Sequence, residues 1–526
     1  MDFENIPREK FEFATQTDIY HDKKLETKAR GFFADALLRF RKNKSSVVAA
    51  WIIGFLIVFA FVSPLLSPYS ISEQDNIYTS YPPYIEAIAK KNWGILDGGM
   101  TLSSQNDRQM QRLSAIAQET GMDPVIKVLG YTETTQRVRG KDTVVKSYSV
   151  KVNRYYLDGV ARRVISYELF ESIQQFQDET GIQVLYPAAL TEDVYGPLTE
   201  LQQHMLIDDA NVWYKCSDIK GTPKLDANGN LIPAYSTDAT AAGPIPYHST
   251  RIAGDDGSYI YSVAKSGAVQ VRVCYYNYYQ FLQWNANPAH RFHEPRFLFG
   301  TTSMGQDMFC AIGMGARFSL IFALLVSVIN LTIGAVYGAV QGYYGGLVDL
   351  TLDRISDILS GVPGIVVVTL FQLHLARTMG SVPAFLLAFI MTGWIGMAAL
   401  TRKQFYRFKS QEFVYAAKTL GASDKRLMFK HVFPNAIGTI ITSCALVIPG
   451  VIGSETSLTY LGIIDLSSFV GTSIGTLMQQ GQTTMTDAPH AMIFPAIFFS
   501  LLMISFNLFG NGLRDAFNPS TRGVED

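Results

Sequence analysis

Apolar residues along this chain are gathered into long blocks. Ser45 to Ser72 carries no charge, and neither do Phe318 to Val348, Thr378 to Thr401 inside its flanking arginines, Val432 to Ser454 or Ala491 to Leu513. Each exceeds the roughly 20 residues that cross a hydrocarbon core. A further run, Ile358 to Ala376, is interrupted only by His374 and is just long enough. The pattern predicts six membrane-spanning helices, one before and five after a polar block at residues 69–297.

The polar block has the mixed periodicity of a folded α+β domain and does not read as a linker. Helical spacing runs over Gln109 to Glu119 and again over Glu168 to Glu179. Each run ends in Glu-Thr-Gly (Glu119, Thr120, Gly121; Glu179, Thr180, Gly181) before an aliphatic stretch. Either the two units are an internal repeat, or glycine is simply a common helix stop. Strand-like alternation covers Val144 to Tyr156 and the tyrosine-dense Tyr259 to Tyr278, while Gly221 to Pro246 reads as a long surface loop.

Composition adds little beyond this, at 48% apolar with a formal net charge of −1, but the placement of charge sets an orientation. Lys28, Arg30, Arg39, Arg41, Lys42 and Lys44 precede the first span and put the N-terminus inside. Six crossings then place residues 402–434 and the C-terminus in the cytoplasm, and the polar block and the loops around Arg377 to Pro383 and Leu461 to Pro489 outside. The first span reads as an uncleaved signal anchor, with an amphipathic lead-in near Phe32 to Phe40. Of four cysteines, Cys310 and Cys444 fall at or in spans. Cys216 and Cys274 remain in the outer block, as a disulfide or as two buried thiols.

The stretch EFVYAAKTLGASDKRLMFKHVFPN, Glu412 to Asn435, is polar and basic between two apolar runs. Phe413, Ala416, Ala417 and Leu420 recur at helical spacing and make a smooth face. Gly421 stands where a left-handed residue closes a helix, Ser423 where the next helix is capped, Asp424 in that helix's first turn, and Pro434 where a further apolar helix opens. A helix-turn-helix elbow results, with Lys418, Lys425, Arg426 and Lys430 on its remaining surface. It is either an ordinary loop or a surface that touches a partner.

Other candidate chemistry is sparse. Arg354 and Asp357 are spaced to pair on one helix face beside Asp353. Glu455 either lines an outer gate or hydrogen-bonds inside the bundle. Pro363 and Gly364 interrupt the third span, and the glycines from Gly334 to Gly346 either pack helices closely or loosen a path. His290 and His293 lack the partners of a metal site, and no phosphate loop of the GxxxxGK[ST] type occurs.

At the elbow the chain resembles the EAA loop of ATP-binding-cassette import permeases, in the variant of dipeptide and oligopeptide C-type subunits. Further likeness lies in FGTTSMGQDMFCAIGMGARFSL before the second span, in GYYGGLVDLTLDRISDILSGVPG at Gly342 to Gly364, in SETSLTYLGI from Ser454, and in FNLFGNGLRDAFNPSTRG at Phe506 to Gly523. The resemblance covers Ser45 to Pro68 and the chain from about Phe297 onward. It implies an α-helical polytopic membrane protein of the type I ABC importer permease fold, six transmembrane helices with an inserted extracellular α+β domain. The implied division is a cytoplasmic tail at 1–44, a first span at 45–68, the insertion at 69–297, and a permease core at 298–526 with a coupling loop at 402–434.

The resemblance further implies half of a translocation pore that imports di- or oligopeptides across the cell membrane without hydrolysing ATP itself. Glu412, Tyr415, Ala416, Ala417, Gly421, Ala422, Ser423, Asp424 and Pro434 would couple to an ATPase, and Pro363, Gly364 and Glu455 would serve pore or gate. Tyr415 departs from the general motif, which has Glu there. The implied partners are a second related permease subunit, two cytoplasmic ATPase subunits that use ATP and magnesium, an extracellular substrate-binding lipoprotein, the peptide and membrane lipid. No cofactor, metal or nucleic acid is implied for this chain. Relatives of this branch also carry nickel complexes or sugars. A membrane-anchored ligand receptor is the alternative of another class, but the short stretch after Leu513 offers no output domain. A membrane enzyme lacks a defensible catalytic constellation.

Overall fold

The computed structural model describes residues 32–69, 78–91, 93–138, 141–186, 227, 244–246, 260–265, 268–286, 292–464, 466 and 472–517. Among them the apolar blocks are helical. A short amphipathic helix, α1 (Phe32–Lys42), precedes the first long one, α2 (Lys44–Leu66). Asn43 separates them, its side chain accepting from the Ser46 amide at 3.3 Å as an N-cap.

The inserted lobe is built from two copies of one unit. In the first, β1 (Gly99–Gln105) leads into α3 (Asp107–Thr120), and then β2 (Val125–Val138) and β3 (Lys141–Asn153) form a long antiparallel hairpin, with β3 central in the order β1-β3-β2. In the second, β4 (Val160–Ser166) leads into α4 (Tyr167–Thr180) and β5 (Leu185–Tyr186). After a long excursion that includes β6 (Pro244–Pro246) and β7 (Ile260–Lys265), the central strand β8 (Ala268–Cys274) pairs with β4, β5 and β7.

The match extends to single bonds. Gly121 and Gly181 close their helices at φ 70°, ψ 8° and φ 70°, ψ 7°. Thr120 and Thr180 each donate back to the carbonyl four residues earlier at 2.7 Å, and each hydroxyl accepts from the amide two residues on at 3.2 Å. Val125 pairs with Val152, and Leu185 with Val273. Gly98 and Gly159, both at positive φ, accept the amides of Arg154 and Tyr275. Of the two readings left open by the Glu-Thr-Gly triplets, the structure selects the repeat.

Two strand expectations are too long. The run to Tyr156 leaves the sheet at Asn153 and turns into the helical Arg154–Leu157. The tyrosine run after Cys274 is helix α5 (Tyr275–Ala286), which buries Tyr276, Tyr278 and Tyr279, so tertiary packing overrides the strand preference of Tyr. Most of the loop expected at Gly221 to Pro246 lies outside the described residues, as do Cys216 and His290.

After the lobe come α6 (Met308–Tyr344), α7 (Gly346–Ser360), α8 (Gly364–Met379), α9 (Ser381–Phe408), α10 (Glu412–Thr419), α11 (Asp424–Tyr460), α12 (Ile474–Thr483) and α13 (His490–Phe517). Among the described residues five helices, α2, α6, α9, α11 and α13, are long and apolar enough to cross a membrane. The expected third span is no single helix: α7 and α8 meet at 72°. Pro363 lacks an amide hydrogen and disfavours helical geometry at the residue before it, so the helix stops and restarts there. The bundle core runs through Phe322, Val326, Phe385, Ile452, Leu502 and Phe506. α6 lies close on α9, where a Cβ on Gly338 would collide with the Ala398 carbonyl.

Candidate functional site

The elbow is organised by one buried side chain and one turn. Val414 of α10 is 4% exposed and packs into Phe405, Leu427, Met428 and Val432, with Ala417 and Ala422 at the edge of that cluster. The smooth face expected from Phe413, Ala416, Ala417 and Leu420 is therefore divided. Ala417 turns inward, while Phe413 (42% exposed), Tyr415 (58%), Ala416 and Leu420 (88%) point outward. Phe429 is also uncovered, and Lys418, Lys425, Arg426 and Lys430 are exposed on the same elbow. Uncovered apolar side chains among polar ones are the ordinary mark of a docking surface.

Gly421 has φ +80° and closes α10 as a Schellman turn. Its amide donates to Lys418 O at 2.9 Å, and that of Ala422 to Ala417 O at 3.1 Å. Ser423 does hold the N-cap position of α11, but its hydroxyl makes no capping bond; its carbonyl accepts the Leu427 amide at 2.9 Å. Asp424 lies in the first turn and accepts from the Tyr343 hydroxyl at 2.7 Å, which ties the elbow to the end of α6. Glu412 is exposed in the first turn of α10.

Pro434 stands in the first turn of the α-helical stretch Phe433–Tyr460, as expected, but that stretch is joined to the elbow without a break. α11 runs continuously from Asp424 through a π-helical turn at Leu427–Val432, where the Phe433 amide reaches Met428 O, five residues back. A proline inside an α-helix removes one bond and crowds the carbonyl four residues earlier, and the wider π turn accommodates both effects.

On the other side of α9, a cavity of about 600 Å³ lies between α8, α9, α11 and α13. Gly364, Val368, Phe389, Pro449, Gly453 and Phe499 line it, with Thr392, Ser454 and Ser457 as its hydroxyls. Gly364 is thus in the wall and Pro363 is the residue that caps its helix. Glu455 is absent from the lining. It is fully buried and accepts from Ser319 of α6 at 2.8 Å, with Thr456 and Thr459 nearby, so its carboxylate is hydrogen-bonded within the bundle.

Sequence reasoning missed a polar cluster near the elbow. Arg402 of α9 donates through Nη2 to Asp349 at 2.6 Å and through Nη1 to Asp353 at 2.9 Å, and the Tyr406 hydroxyl donates to Asp349 at 2.6 Å. The expected Arg354–Asp357 pair forms at 3.0 Å but is solvent-exposed. The signal available in sequence was an i,i+4 acidic pair, Asp349 and Asp353, inside an otherwise apolar stretch.

The lobe is fixed to the bundle by a neck. Asp307 caps α6 by accepting the Phe309 and Cys310 amides, and it also accepts the Ser67 hydroxyl at 2.6 Å, joining the end of α2 to the start of α6. Burial raises its carboxyl pKa above the usual range, although these three donors pull the other way. The Tyr69 hydroxyl donates to Glu294 O at 2.9 Å, and the Tyr81 amide to the Thr301 hydroxyl at 2.7 Å. Between the lobe and the start of α13 lies a second cavity of about 660 Å³, lined by Asp97, Lys151 and Arg154 from the lobe and by Asp487, His490 and Phe494 below. Lys151 and Asp97 form an ion pair there. Cys274 is buried at the end of β8, and the pairing with Cys216 lies outside the described residues.

Comparison with known proteins matches residues 331–523 to the family described as "Binding-protein-dependent transport system inner membrane component" and residues 31–83 to "N-terminal TM domain of oligopeptide transport permease C". The oligopeptide transport system permease protein OppC of Bacillus subtilis is 38% identical over 227 residues, 43% of this chain and 72% of that protein. The dipeptide transport system permease protein DppC of the same organism is 37% identical over 225 residues, 43% of this chain and 69% of that protein. Among solved structures, an inward-facing MetNI methionine ABC transporter chain aligns at 13% identity and TM-score 0.32, covering 39% of this chain and 97% of its own.

Proposed function

The chain belongs to the family of binding-protein-dependent transport inner membrane components, in the branch of oligopeptide and dipeptide permease C subunits, and from that premise we propose how it works. It is a permease subunit of the membrane pore of an ABC importer. Its cargo is di- or oligopeptides, as the names of the related OppC and DppC proteins suggest. One copy forms half of the pore and pairs with a second, related permease subunit.

The reading places residues 1–44 and the C-terminus in the cytoplasm, 45–68 and the later spans in the cell membrane, and 69–297 outside. The elbow at 402–434 then faces two ATPase subunits that use ATP and magnesium. The observation that carries this reading is the uncovered apolar tip of the elbow, Phe413, Tyr415, Ala416 and Leu420, presented by a rigid Schellman turn on an elbow that also exposes lysine and arginine. Glu412, Ser423 and Asp424 flank the docking face, Gly421 and Ala422 set its turn, and Pro434 fixes how the following span leaves it. Val414 and Ala417 hold the elbow to its own bundle, so movement of the docked ATPase is transmitted to α9 and α11.

Gly364 lines the path through the membrane, Pro363 fixes the break behind it, and Glu455 braces the wall from within. The lobe receives the extracellular binding lipoprotein or encloses the peptide that it delivers. The cavity beneath the lobe supports that role. The deciding experiment is purification of the complex from native membranes with identification of subunits and bound small molecules. The expected set is a second permease, an ATPase and a peptide. A complex carrying a nickel chelate or a sugar overturns the cargo, and a chain that purifies without any ATPase overturns the transporter reading.

A further inference from the structure

α7 is weakly held. Among its described residues only Asp349 and Ser356 are buried, while Leu347, Leu350, Ile355 and Ile358 are exposed. Its attachment to its neighbours is mainly polar. The Tyr337 hydroxyl donates to Leu352 O at 2.7 Å, and Arg402 and Tyr406, four residues apart on one face of α9, grip its two aspartates. α9 ends at Phe408 and the elbow helix begins at Glu412. Arg402 therefore sits between the elbow and the 72° break that leads to the cavity wall at Gly364.

The cluster is also incompletely satisfied. Arg402 Nε and Asp349 Oδ1 are both buried without a hydrogen-bond partner, as is the Ser356 hydroxyl. A donor and an acceptor thus stand unpaired on the two partners of one ion pair, which leaves a second hydrogen-bonded arrangement open to them. The chemistry of that arrangement is specific. The Nε and Nη2 hydrogens of a guanidinium lie along one edge and match the two oxygens of one carboxylate. Nη2 already bonds Asp349 Oδ2. A small rotation that closes Nε onto Oδ1 completes a two-bond fork on Asp349, satisfies both unpaired atoms and withdraws Nη1 from Asp353.

We infer that Arg402 is a positioning residue for transport, which carries movement of the elbow to the break in the third span by exchanging a bridge across Asp349 and Asp353 for a fork on Asp349 alone. In the bridged state α7 is clasped at two points one helical turn apart. In the forked state the Asp353 clasp is released while Asp349 and the Tyr337–Leu352 bond still hold, so the end of α7 nearer residues 361–363 gains freedom to turn, moving Gly364 and Ile365 in the cavity wall. A shift of one packed element with two discrete hydrogen-bond arrangements is a physical basis for coupling between separated sites. The inference rests on the permease reading above, and it supplies the path by which the elbow would reach the pore.

The test uses the complete transporter in lipid vesicles with its binding protein and peptide, measuring uptake and ATP hydrolysis per assembled complex. Three variants separate the steps. Arg402→Lys keeps the charge and loses the fork, Arg402→Gln loses both, and Asp353→Asn weakens the bridge at a half-buried position while leaving the Asp349 pair in place. Peptide transported per ATP is expected to fall by about tenfold in each, a typical size for coupling between sites, while hydrolysis persists. A residue with only a structural role would lower the yield of complex and leave that ratio intact. A ratio unchanged in Arg402→Lys and Asp353→Asn, whatever their yield, overturns the inference. An unmutated chain without an ATPase partner refutes the permease reading itself, before any variant is compared.

Discussion

At Gly421 the backbone adopts φ +80°, and a Cβ built there would meet nothing within 4 Å. Any cost of substitution is thus conformational, roughly 1–2 kcal/mol for a side chain in the left-handed region and highest for a β-branched one. Gly421→Val is expected to insert and assemble but to hydrolyse ATP without matching uptake, because the Schellman turn that aims the docking face is lost. Normal substrate-stimulated hydrolysis together with normal uptake would count against the elbow's role. This residue was legible because a helical run, a glycine and a capping residue follow one another in the sequence. Ser423 was legible only in position, since it stands at the N-cap but its hydroxyl accepts no amide of the first turn. The Arg402–Asp349 contact was not legible, because its partners lie 53 residues apart and on helices whose relative rotation no local pattern reports.

Among the elements, the long helices follow from uncharged stretches, and their number is read easily. Their interruptions are harder to place. The break between α7 and α8 depends on Pro363, yet the apolar run passes across it, so hydropathy alone merges the end of α7 with most of α8 into one span. The π turn before Pro434 hides in the same way, since a helix start and a wide turn leave similar traces in sequence. Replacing Pro434 by Ala tests what the turn is for. Proline disfavours a helix interior by about 3 kcal/mol relative to Ala, so part of that amount should appear as a higher melting temperature once regular bonding is restored. Uptake should fall at the same time, because removing the turn re-aims the elbow against the span. A variant that melts no higher would show that the turn is set by packing around Val432 and not by the proline. The repeat in the lobe was half visible: the triplets at Thr120 and Thr180 announce it, but the excursion between β5 and β8 lengthens the second copy and breaks any fixed period.

At the scale of the whole molecule, two bodies meet at a narrow neck. The helical bundle has its own core, and the lobe has separate ones around Phe170, Phe176 and Phe281 and around Tyr78, Tyr81 and Tyr155. Deletion of 72–293 with a short linker is expected to leave the spans inserted and the complex assembled, while uptake at low peptide concentration and docking of the binding protein weaken. Unchanged uptake at low substrate would remove the lobe from the transport cycle. The prediction that the spans survive comes from the neck. Ser67 already touches Asp307, and Tyr69 already touches Glu294, so the chain leaves and rejoins the bundle at neighbouring points. Loop-closure entropy grows only with the logarithm of length, so a connection that starts and ends side by side accepts a folded body almost as readily as a few residues. The Ser67–Asp307 contact therefore marks a graft junction, a place where an entire domain can be spliced in or out while the membrane part keeps its own packing.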